Sequence, residues 1–244
     1  DLDSPQSTLT HYINNRRDHV ETKGIGLPLP EHRVLQASAV SNRDIAFAED
    51  EAAVDECLRG LGEKSDFIVV DTPGGDDTLS RRAHSYADTL ITPMNDSFID
   101  LDVLAKVEPE TMKIVRPSAY AEFVWENRKK RIQRDGGSID WIVARNRLSS
   151  LDSRNRRAVA DALTTLSNRI GFRVAPGFSE RMIFRELFLK GLTLLDLRDP
   201  DAGIRLNMSH IAARQEVRMM LGAIGLPESV EQDEGPRALR SADT

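Results

Sequence analysis

A carboxylate and two glycines follow one of the most apolar short segments of the chain. The segment DFIVVDTPGG covers residues 66–75 and places Asp71 directly after four apolar residues. Such a run, bounded by turn residues, is typical of a strand buried on both faces of a parallel sheet. Ligands of these sheets bind beyond the carboxyl ends of the strands, so we expect Asp71 to face a ligand crevice. Gly74 and Gly75 permit positive φ and a close backbone approach, which suits a loop whose N–H groups contact a phosphate.

Asp71 could hold a magnesium ion beside that phosphate. Mg²⁺ keeps several waters and takes only one or two protein carboxylates, so a single aspartate is chemically sufficient. A hydrophobic run that ends in Asp is a weak signal by itself, because a capping or turn aspartate gives the same pattern. The Thr-Pro-Gly-Gly sequence after Asp71 favours the phosphate site, which would be the Walker B arrangement of a nucleotide hydrolase.

Two further segments carry polar residues suited to the same chemistry. Asp1 and Asp3 lie two residues apart, and therefore on one side of an extended chain. Two solvated loop aspartates fit this spacing equally well. Asn146 ends the apolar segment DWIVARN, and its amide offers both a donor and an acceptor, as the edge of a purine requires. We therefore expect the acidic groups of adjoining strand ends to converge on one site.

The elements that must position these residues alternate along the chain. Apolar segments predict strands at 66–71, 89–94, 140–146 and 171–176. The stretches before, between and after them predict helices at 47–63, 78–86, 97–108, 117–134, 153–170, 179–189 and 207–224. This alternation predicts an α/β fold with a doubly wound, mostly parallel sheet flanked by helices. The Pro- and Gly-rich segment 23–45 is expected to be irregular.

The length and composition favour one domain. The chain has 244 residues, 40% of them hydrophobic, which suffices for a single sizeable core that we expect to cover residues 1–226. Residues 227–244 are polar and predict a disordered tail. No apolar run approaches the roughly 18 residues that a membrane span needs, so a cytoplasmic protein is expected. The chain starts without a Met, on an aspartate where a strand should end, and we expect an N-terminal segment to be missing.

Several classes of protein are disfavoured. Cys57 is the single cysteine, which excludes an internal disulfide and disfavours an iron–sulfur reductase with paired cysteine ligands. The five histidines show no metal spacing such as HExxH, and no serine lies in a GxSxG sequence. The net charge of −6 gives no global attraction to nucleic acid, so any such binding requires a local basic patch.

Seven segments spread along the chain carry a resemblance to a known family. In order, they are DLDSPQS, DFIVVDTPGG, TLITPMNDSFIDLDVLAKV, WENRKKR, DWIVARNRLSS, GFRVAPG and FRELFLKGLTLLDL. Together they resemble the MipZ family, within the ParA/MinD group of deviant Walker ATPases. The resemblance runs from Asp1 to about Leu226, and the PMNDSF, WENRKKR and RELF…GLTLLDL segments separate this family from ParA proteins in general. It implies a P-loop ATPase that is monomeric without ATP and forms a nucleotide-sandwich homodimer with it.

The resemblance also implies roles for the residues at matching positions. Asp1 and Asp3 match the Walker A′ pair, in which Asp3 would position the attacking water and Asp1 would lie close to the Mg²⁺ site. Asp71 matches the Walker B residue. The remaining matches are Gly74 and Gly75 at the switch beside the γ-phosphate, Asn146 and Arg147 in the adenine-side loop, and Pro93 and Met94 at the next strand end of the nucleotide pocket.

Partners and location follow from the same resemblance. The dimer of that family binds chromosomal DNA without sequence preference and inhibits FtsZ polymerisation, whereas the monomer is recruited by the centromere-binding protein ParB. The protein is thus expected in the cytoplasm, associated with the nucleoid. A ParA-type chromosome or plasmid partitioning ATPase and a nucleotide-independent interaction module remain alternatives. The family's KGGxGKS loop would precede Asp1 and is not in this sequence, so we expect this chain alone to bind ATP poorly and to hydrolyse none.

Clusters of basic residues are the candidates for DNA binding. Contacts that ignore base sequence need only local positive charge. A second basic run, RKKRIQR at 128–134, could bind DNA, ParB or FtsZ, and an ordinary solvated helix face is the alternative for both clusters. The main candidates lie on and just after the predicted helix 153–170 and are Arg154, Arg156, Arg157, Arg169 and Arg173.

Overall fold

Seven helices and five strands form within the part of the chain that the structure describes. The computed structural model describes residues 1–3, 6–95, 97–108, 114–148, 153–198 and 207–226. The elements are α1 (Thr8–Lys23), α2 (Arg43–Gly62), α3 (Thr78–Tyr86), β1 (Thr89–Asn95), β2 (Ala105–Val107), β3 (Ile114–Pro117), α4 (Ala119–Asp135), β4 (Asp140–Asn146), α5 (Ser153–Ile170), β5 (Arg173–Ala175), α6 (Met182–Phe188) and α7 (Met208–Ile224).

Three parallel strands make the central sheet, in the order β1-β4-β5. The pairing of β1 with β4 runs from Thr89 opposite Asp140 to Asn95 opposite Asn146, so the two strands end level with each other. The strands predicted at 89–94, 140–146 and 171–176 are therefore confirmed. Their parallel order follows from the helices that connect them.

Strand β4 is buried on both faces, and helices cover each face. Trp141 and Val143 pack in one cluster with residues of α4 and α5, including Val124 and Leu163. The alternate residues of β4 pack on the opposite face with Met220 of α7. This confirms the doubly wound arrangement, because period-2 alternation sends successive side chains to opposite sides of the sheet.

The predicted strand at 66–71 is wrong for the described structure, which has no regular strand there. Phe67 and Val69 are 54% and 82% exposed instead of buried. The segment 66–71 makes one backbone hydrogen bond to the rest of the described chain, in which Leu2 N donates to Asp71 O at 2.8 Å. An apolar run predicts burial only if partners flank it, and the described residues supply one partner, at its end.

The predicted helix at 97–108 is also wrong. The chain forms a short 3-10 turn at Asp100–Val103 and then β2, which pairs antiparallel with β3. Leu101, Leu104 and Ala105 are all fully buried. Because tertiary packing rather than helical spacing fixes these positions, the local pattern favoured the wrong element.

The other predicted helices are confirmed within a few residues at each end. Capping side chains define several of the boundaries, and Asp77 matters most for the site. Its carboxylate accepts hydrogen bonds from Ser80 N and Ser80 Oγ, both at 2.8 Å, and so begins α3 directly after the Gly74–Gly75 loop. Among the described helices, none combines the length and apolarity that crossing a bilayer requires.

Candidate functional site

Asp3 and Asp71 lie close enough for their charges to interact. The main-chain bond from Leu2 N to Asp71 O places the two short segments side by side. Asp71 is half-buried, and burial, followed by the charge of Asp3, raises the pKa of its carboxyl group above the usual value. The structure thus brings together the two carboxylates that the sequence assigned to separate segments.

Asp1 has a positional role that its residue type does not reveal. Its Oδ1 accepts a hydrogen bond from Asp3 N at 3.0 Å, and its Oδ2 accepts from Thr10 N at 2.9 Å and Thr10 Oγ1 at 2.5 Å. His32 Nε2 lies 3.3 Å from the same Thr10 hydroxyl. Asp1 therefore fixes both Asp3 and the first turn of α1. Each carboxylate oxygen has two lone pairs, so these hydrogen bonds leave room for Asp1 to lie beside Mg²⁺, and that role stays a prediction.

The remaining carboxylates fit one magnesium ion only in part. Within the described ranges, no group of three or more His, Cys, Asp or Glu side chains is arranged to hold a metal. Asp71 accepts no side-chain hydrogen bond from the described residues, so its hard oxygen atoms are available. One or two carboxylates completed by waters and phosphate oxygens are what Mg²⁺ prefers, so Asp71, with Asp3 close by, fits that ion.

Gly74 and Gly75 lie in an open part of the structure. Neither glycine has a positive φ, so the left-handed conformation that glycine permits is not adopted here. Both are exposed, and a Cβ atom built on either would meet nothing within 4 Å. The open space beside this loop leaves room for a ligand to approach the backbone, which is the part of the expectation that the geometry supports.

A second group of predicted residues meets at the ends of β1 and β4. Asn146 lies in register with Asn95, and its Oδ1 accepts a hydrogen bond from Arg147 N at 2.9 Å. Arg147 adopts a φ of 51°, an uncommon left-handed conformation for a residue with a side chain. Pro93 is exposed, but Met94 is buried in the core, so only the main chain of Met94 could reach a ligand.

Asn95 is a candidate that the sequence interpretation missed. It is exposed at the end of β1, directly opposite Asn146. The signal available in the sequence was an amide at the same strand position in both TLITPMN and DWIVARN. Two amides at neighbouring strand ends offer more hydrogen-bonding groups for a purine than one.

The predicted DNA-binding arginines differ in what the structure shows of them. Arg157 and Arg169 of α5 are exposed. Arg173 is bound by Asp140 and by Ala223 O, so much of its charge is already neutralised. The side chains of Arg154 and Arg156 lie outside the described residues. The structure therefore leaves two described, exposed cations on this helix.

The second basic run has a structural role for its arginines. Arg128 donates to Gly171 O at 2.8 Å and to Ile139 O at 3.2 Å. Arg131 donates to Tyr86 O, and Arg134 donates to Ser85 O at 3.0 Å, so both bind the carbonyl end of α3. This end of α4 thus stabilises α3 and is not simply a solvated face. Lys129 and Lys130 remain exposed.

Comparison with known proteins assigns the chain to a family. Comparison with curated proteins gives no match. The model of the family described as ATPase MipZ matches residues 1–228, and therefore covers all of the described site. Over most of its length, from the paired Asp1 and Asp3 to the end of α7, the chain thus belongs to the MipZ family of ParA/MinD-type ATPases involved in division positioning.

Proposed function

We propose that this protein is an ATP-dependent switch that dimerises with ATP, binds DNA without sequence preference and inhibits FtsZ assembly, and so positions the division site. The observation that carries the proposal is the convergence of Asp3 and Asp71, because two interacting carboxylates are suited to one metal–phosphate centre. Membership of an ATPase family supports the same conclusion.

The residues present would divide the chemistry between them. Mg²⁺, held by Asp71, would supply positive charge to the phosphates. The Asp3 carboxylate would accept a hydrogen bond from the attacking water and align it with the γ-phosphate. Asp1 fixes the main chain of Asp3, so the carboxylate of Asp3 starts from a defined position. The open Gly74–Gly75 loop would direct backbone N–H groups at the terminal phosphate.

Hydrolysis would then set the lifetime of the dimer. ATP would hold two copies together, and the dimer would contact DNA through exposed arginines of α5, where Arg157 and Arg169 are described. Loss of the γ-phosphate would return the protein to monomers that ParB recruits. A gradient of dimers over the nucleoid would restrict FtsZ assembly to the region where dimers are scarce.

The test uses the protein expressed from its complete reading frame. Sedimentation of FtsZ polymers is measured with and without the protein, each in the presence of ATP or ADP. We expect less polymer in the pellet only with the protein and ATP together. Unchanged FtsZ assembly would contradict the proposal in favour of a partitioning ATPase, and inhibition that does not depend on ATP would contradict it in favour of an interaction module.

A further inference from the structure

The loops that follow β4 and β5 are joined by their backbones. Phe178 N donates to Arg145 O at 2.9 Å, Leu148 N donates to Phe178 O at 2.9 Å, and Glu180 N donates to Leu148 O at 3.3 Å. Gly177 allows this approach, since a Cβ there would collide with the carbonyl oxygen of Arg145. The segment 145–148, which includes the last two residues of β4, and the loop 176–181 are therefore held together, and we call them the paired loops.

The paired loops carry the base-side residues of the proposed site. Asn146 and Arg147 lie in the first loop, with Arg147 held in a left-handed conformation. A left-handed residue with a side chain is strained unless its surroundings hold it. Strand β1 pairs with β4 up to Asn146, and outside that strand pairing the second loop supplies the described backbone hydrogen bonds on either side of Arg147, to Arg145 O and from Leu148 N. The second loop and β1 together therefore position the turn at Asn146 and Arg147.

Glu216 of α7 binds the second loop through three hydrogen bonds. Its Oε1 accepts from Ser179 Oγ and from Arg181 Nη2, both at 2.8 Å, and its Oε2 accepts from Ser179 N at 3.2 Å. Only 18% of the Glu216 side chain is exposed, which makes these bonds stronger than surface contacts. Burial acts to raise the pKa of Glu216, but the bonds from Arg181 and Ser179 outweigh it and lower the pKa, so the carboxylate is ionised at neutral pH.

Apolar packing places α7 against the same loop. Phe178 packs in the cluster formed by Ala175, Met220 and neighbouring residues of β4 and α7. Arg181 also donates to Ser209 Oγ, at 3.2 Å, near the start of α7. The helix therefore contacts the loop along its length, and Glu216 provides the charged, directional part of that contact.

We propose that Glu216 is the positioning residue for purine recognition. By binding Ser179 and Arg181, Glu216 holds the paired loops in place, and it thereby helps to place Asn146 where it can contact an adenine base. This inference rests on the proposed function, because it assumes that the strand ends bind a nucleotide. It concerns the base alone, since Glu216 makes no described contact with Asp3, Asp71 or the Gly74–Gly75 loop.

The experiment compares three ligands on the protein expressed from its complete reading frame. Affinities for Mg·ATP, Mg·GTP and inorganic triphosphate are measured by calorimetry for wild type and for Glu216→Gln. We expect the variant to lose ATP affinity by roughly tenfold, the scale of one hydrogen bond to a charged group. Its affinity for triphosphate should stay within about twofold of wild type. The preference for ATP over GTP should fall accordingly.

Matched variants separate positioning from general damage. Glu180→Gln removes a carboxylate from the same loop that makes only an exposed pair with Arg185, and it should leave all three affinities unchanged. Ser179→Ala deletes one donor while leaving Arg181 bound to Glu216, and it should show a smaller loss in the same direction if Glu216→Gln does not fold.

Each result decides between the two ideas. Equal losses for ATP and triphosphate, or no loss for either, would overturn the role of Glu216 while leaving the proposed function intact. A wild-type protein that binds triphosphate but does not prefer ATP to GTP would overturn the purine site. A wild-type protein that binds none of the three would overturn the proposed function itself.

Discussion

Asp3 and Asp71 repel each other in a half-buried position, and this repulsion has a use. Ionised Asp71 is disfavoured by burial and by the neighbouring carboxylate, so either a proton or a cation stabilises the pair. At neutral pH the proton is scarce. In the proposed site, a divalent cation would relieve this repulsion.

Replacing Asp71 with Asn should raise the free energy of unfolding of the nucleotide-free protein at neutral pH. The raised pKa means that the folded state holds the Asp71 proton more tightly than the unfolded state. Ionised Asp71 lowers the free energy of unfolding. This loss is absent below pH 3.8, the ordinary pKa of the group. It grows as the pH rises to the raised pKa of the folded state and is constant above that pKa. Denaturant unfolding at several pH values should therefore show an advantage for Asp71→Asn that disappears in acid.

Asp66→Asn is the matched control for that measurement. Asp66 is exposed at the other end of the same segment and loses the same charge. The Asp66→Asn variant should leave the pH dependence of unfolding unchanged.

The intact protein should also be stabilised against unfolding by Mg·ATP, whereas the Asp71→Asn variant should not be. Equal pH profiles for the two variants would contradict the interaction between Asp71 and Asp3.

Replacing Asp3 with Ala should separate ATP binding from hydrolysis. Without a carboxylate to orient the water, turnover should fall by roughly 10²-fold or more, while the phosphates and base keep their contacts. Phosphate release and light scattering of the complete protein with ATP would measure turnover and dimerisation. We expect a persistent dimer. A variant that stays monomeric with ATP would contradict the role of Asp3, and Asp18→Ala, an exposed aspartate of α1, serves as the control.

Residue types predicted the carboxylates of the site but not their hydrogen-bond partners. The place of Asp1 beside the metal stays a prediction, but its hydrogen bonds from Asp3 and Thr10 could not be predicted, because no spacing rule shows which donors a folded chain will bring. Gly74 and Gly75 were expected to permit positive φ and a close backbone approach, and neither adopts a positive φ. Glycine allows a positive φ but does not impose it, because the backbone conformation also depends on contacts that the residue type does not determine.

Helix α1 shows that the partners of a whole element are equally hard to predict from its sequence pattern. Its buried face contains Ile13 and also Arg16, so the hydrophobic periodicity that identifies an amphipathic helix is interrupted. Arg16 is bound there by both carboxylate oxygens of Asp196, at 2.8 and 2.9 Å, and donates to Gly191 O and Pro28 O. A charge can occupy a helix core position only with such partners, and two of them, Gly191 and Asp196, lie 175 and 180 residues away along the chain.

Replacing Arg16 with Ala should lower the free energy of unfolding by about 3 kcal/mol, because Asp196, whose side chain is 12% exposed, would lose its ion-pair partner. Burial acts to raise the pKa of Asp196, but bonds from Arg16 and Thr193 outweigh it and lower the pKa. The ion pair thus stabilises the wild-type fold fully at pH values above the ordinary pKa of an aspartate. This stabilisation is lost as the pH falls through the lowered pKa that Asp196 has in the folded state. Urea unfolding at neutral and acid pH would measure both effects.

Arg17→Ala is the control on the same helix. Arg17 is exposed and donates only to Asn14, at 3.2 Å, so its loss should change the free energy of unfolding by no more than ~0.5 kcal/mol. Losses of similar size for Arg16→Ala and Arg17→Ala would contradict the importance of the buried pair. Gly191→Ala should resemble Arg16→Ala, since φ is 59° there and a Cβ would collide with the backbone of Arg16.

The strands and helices that the sequence predicted correctly are those with their partners nearby. β4 and α5 carry continuous apolar patterns and pack on each other, and both were placed with their observed bounds. The apolar segment 66–71 carries an equally clear pattern, but the described residues pair with only its end. Pattern therefore predicts the tendency of a segment to be buried, and the neighbours decide whether burial occurs.

At the scale of the whole molecule, the proposed DNA binding would have to overcome a net charge of −6. Total charge matters less than where free cations lie, because only cations near the phosphates release counterions. Most arginines of α4 are bound to carbonyl groups at the ends of other elements, whereas Arg157 and Arg169 of α5 are exposed. Lys129 and Lys130 of α4 are exposed as well, so exposure alone does not choose between the two helices, and α5 stays the proposed DNA-binding face.

Replacing Arg154 and Arg157 with Ala should weaken DNA binding of the ATP-bound dimer and reduce the slope of log affinity against log salt by about 2. Replacing Lys129 and Lys130 with Ala removes the same charge from exposed positions of α4 and should leave that slope unchanged. Fluorescence anisotropy with a duplex at several salt concentrations would measure both variants, after light scattering shows that each still dimerises with ATP. Equal losses would mean that total charge governs retention, and an unaffected Arg154 and Arg157 variant would remove α5 from the DNA interface.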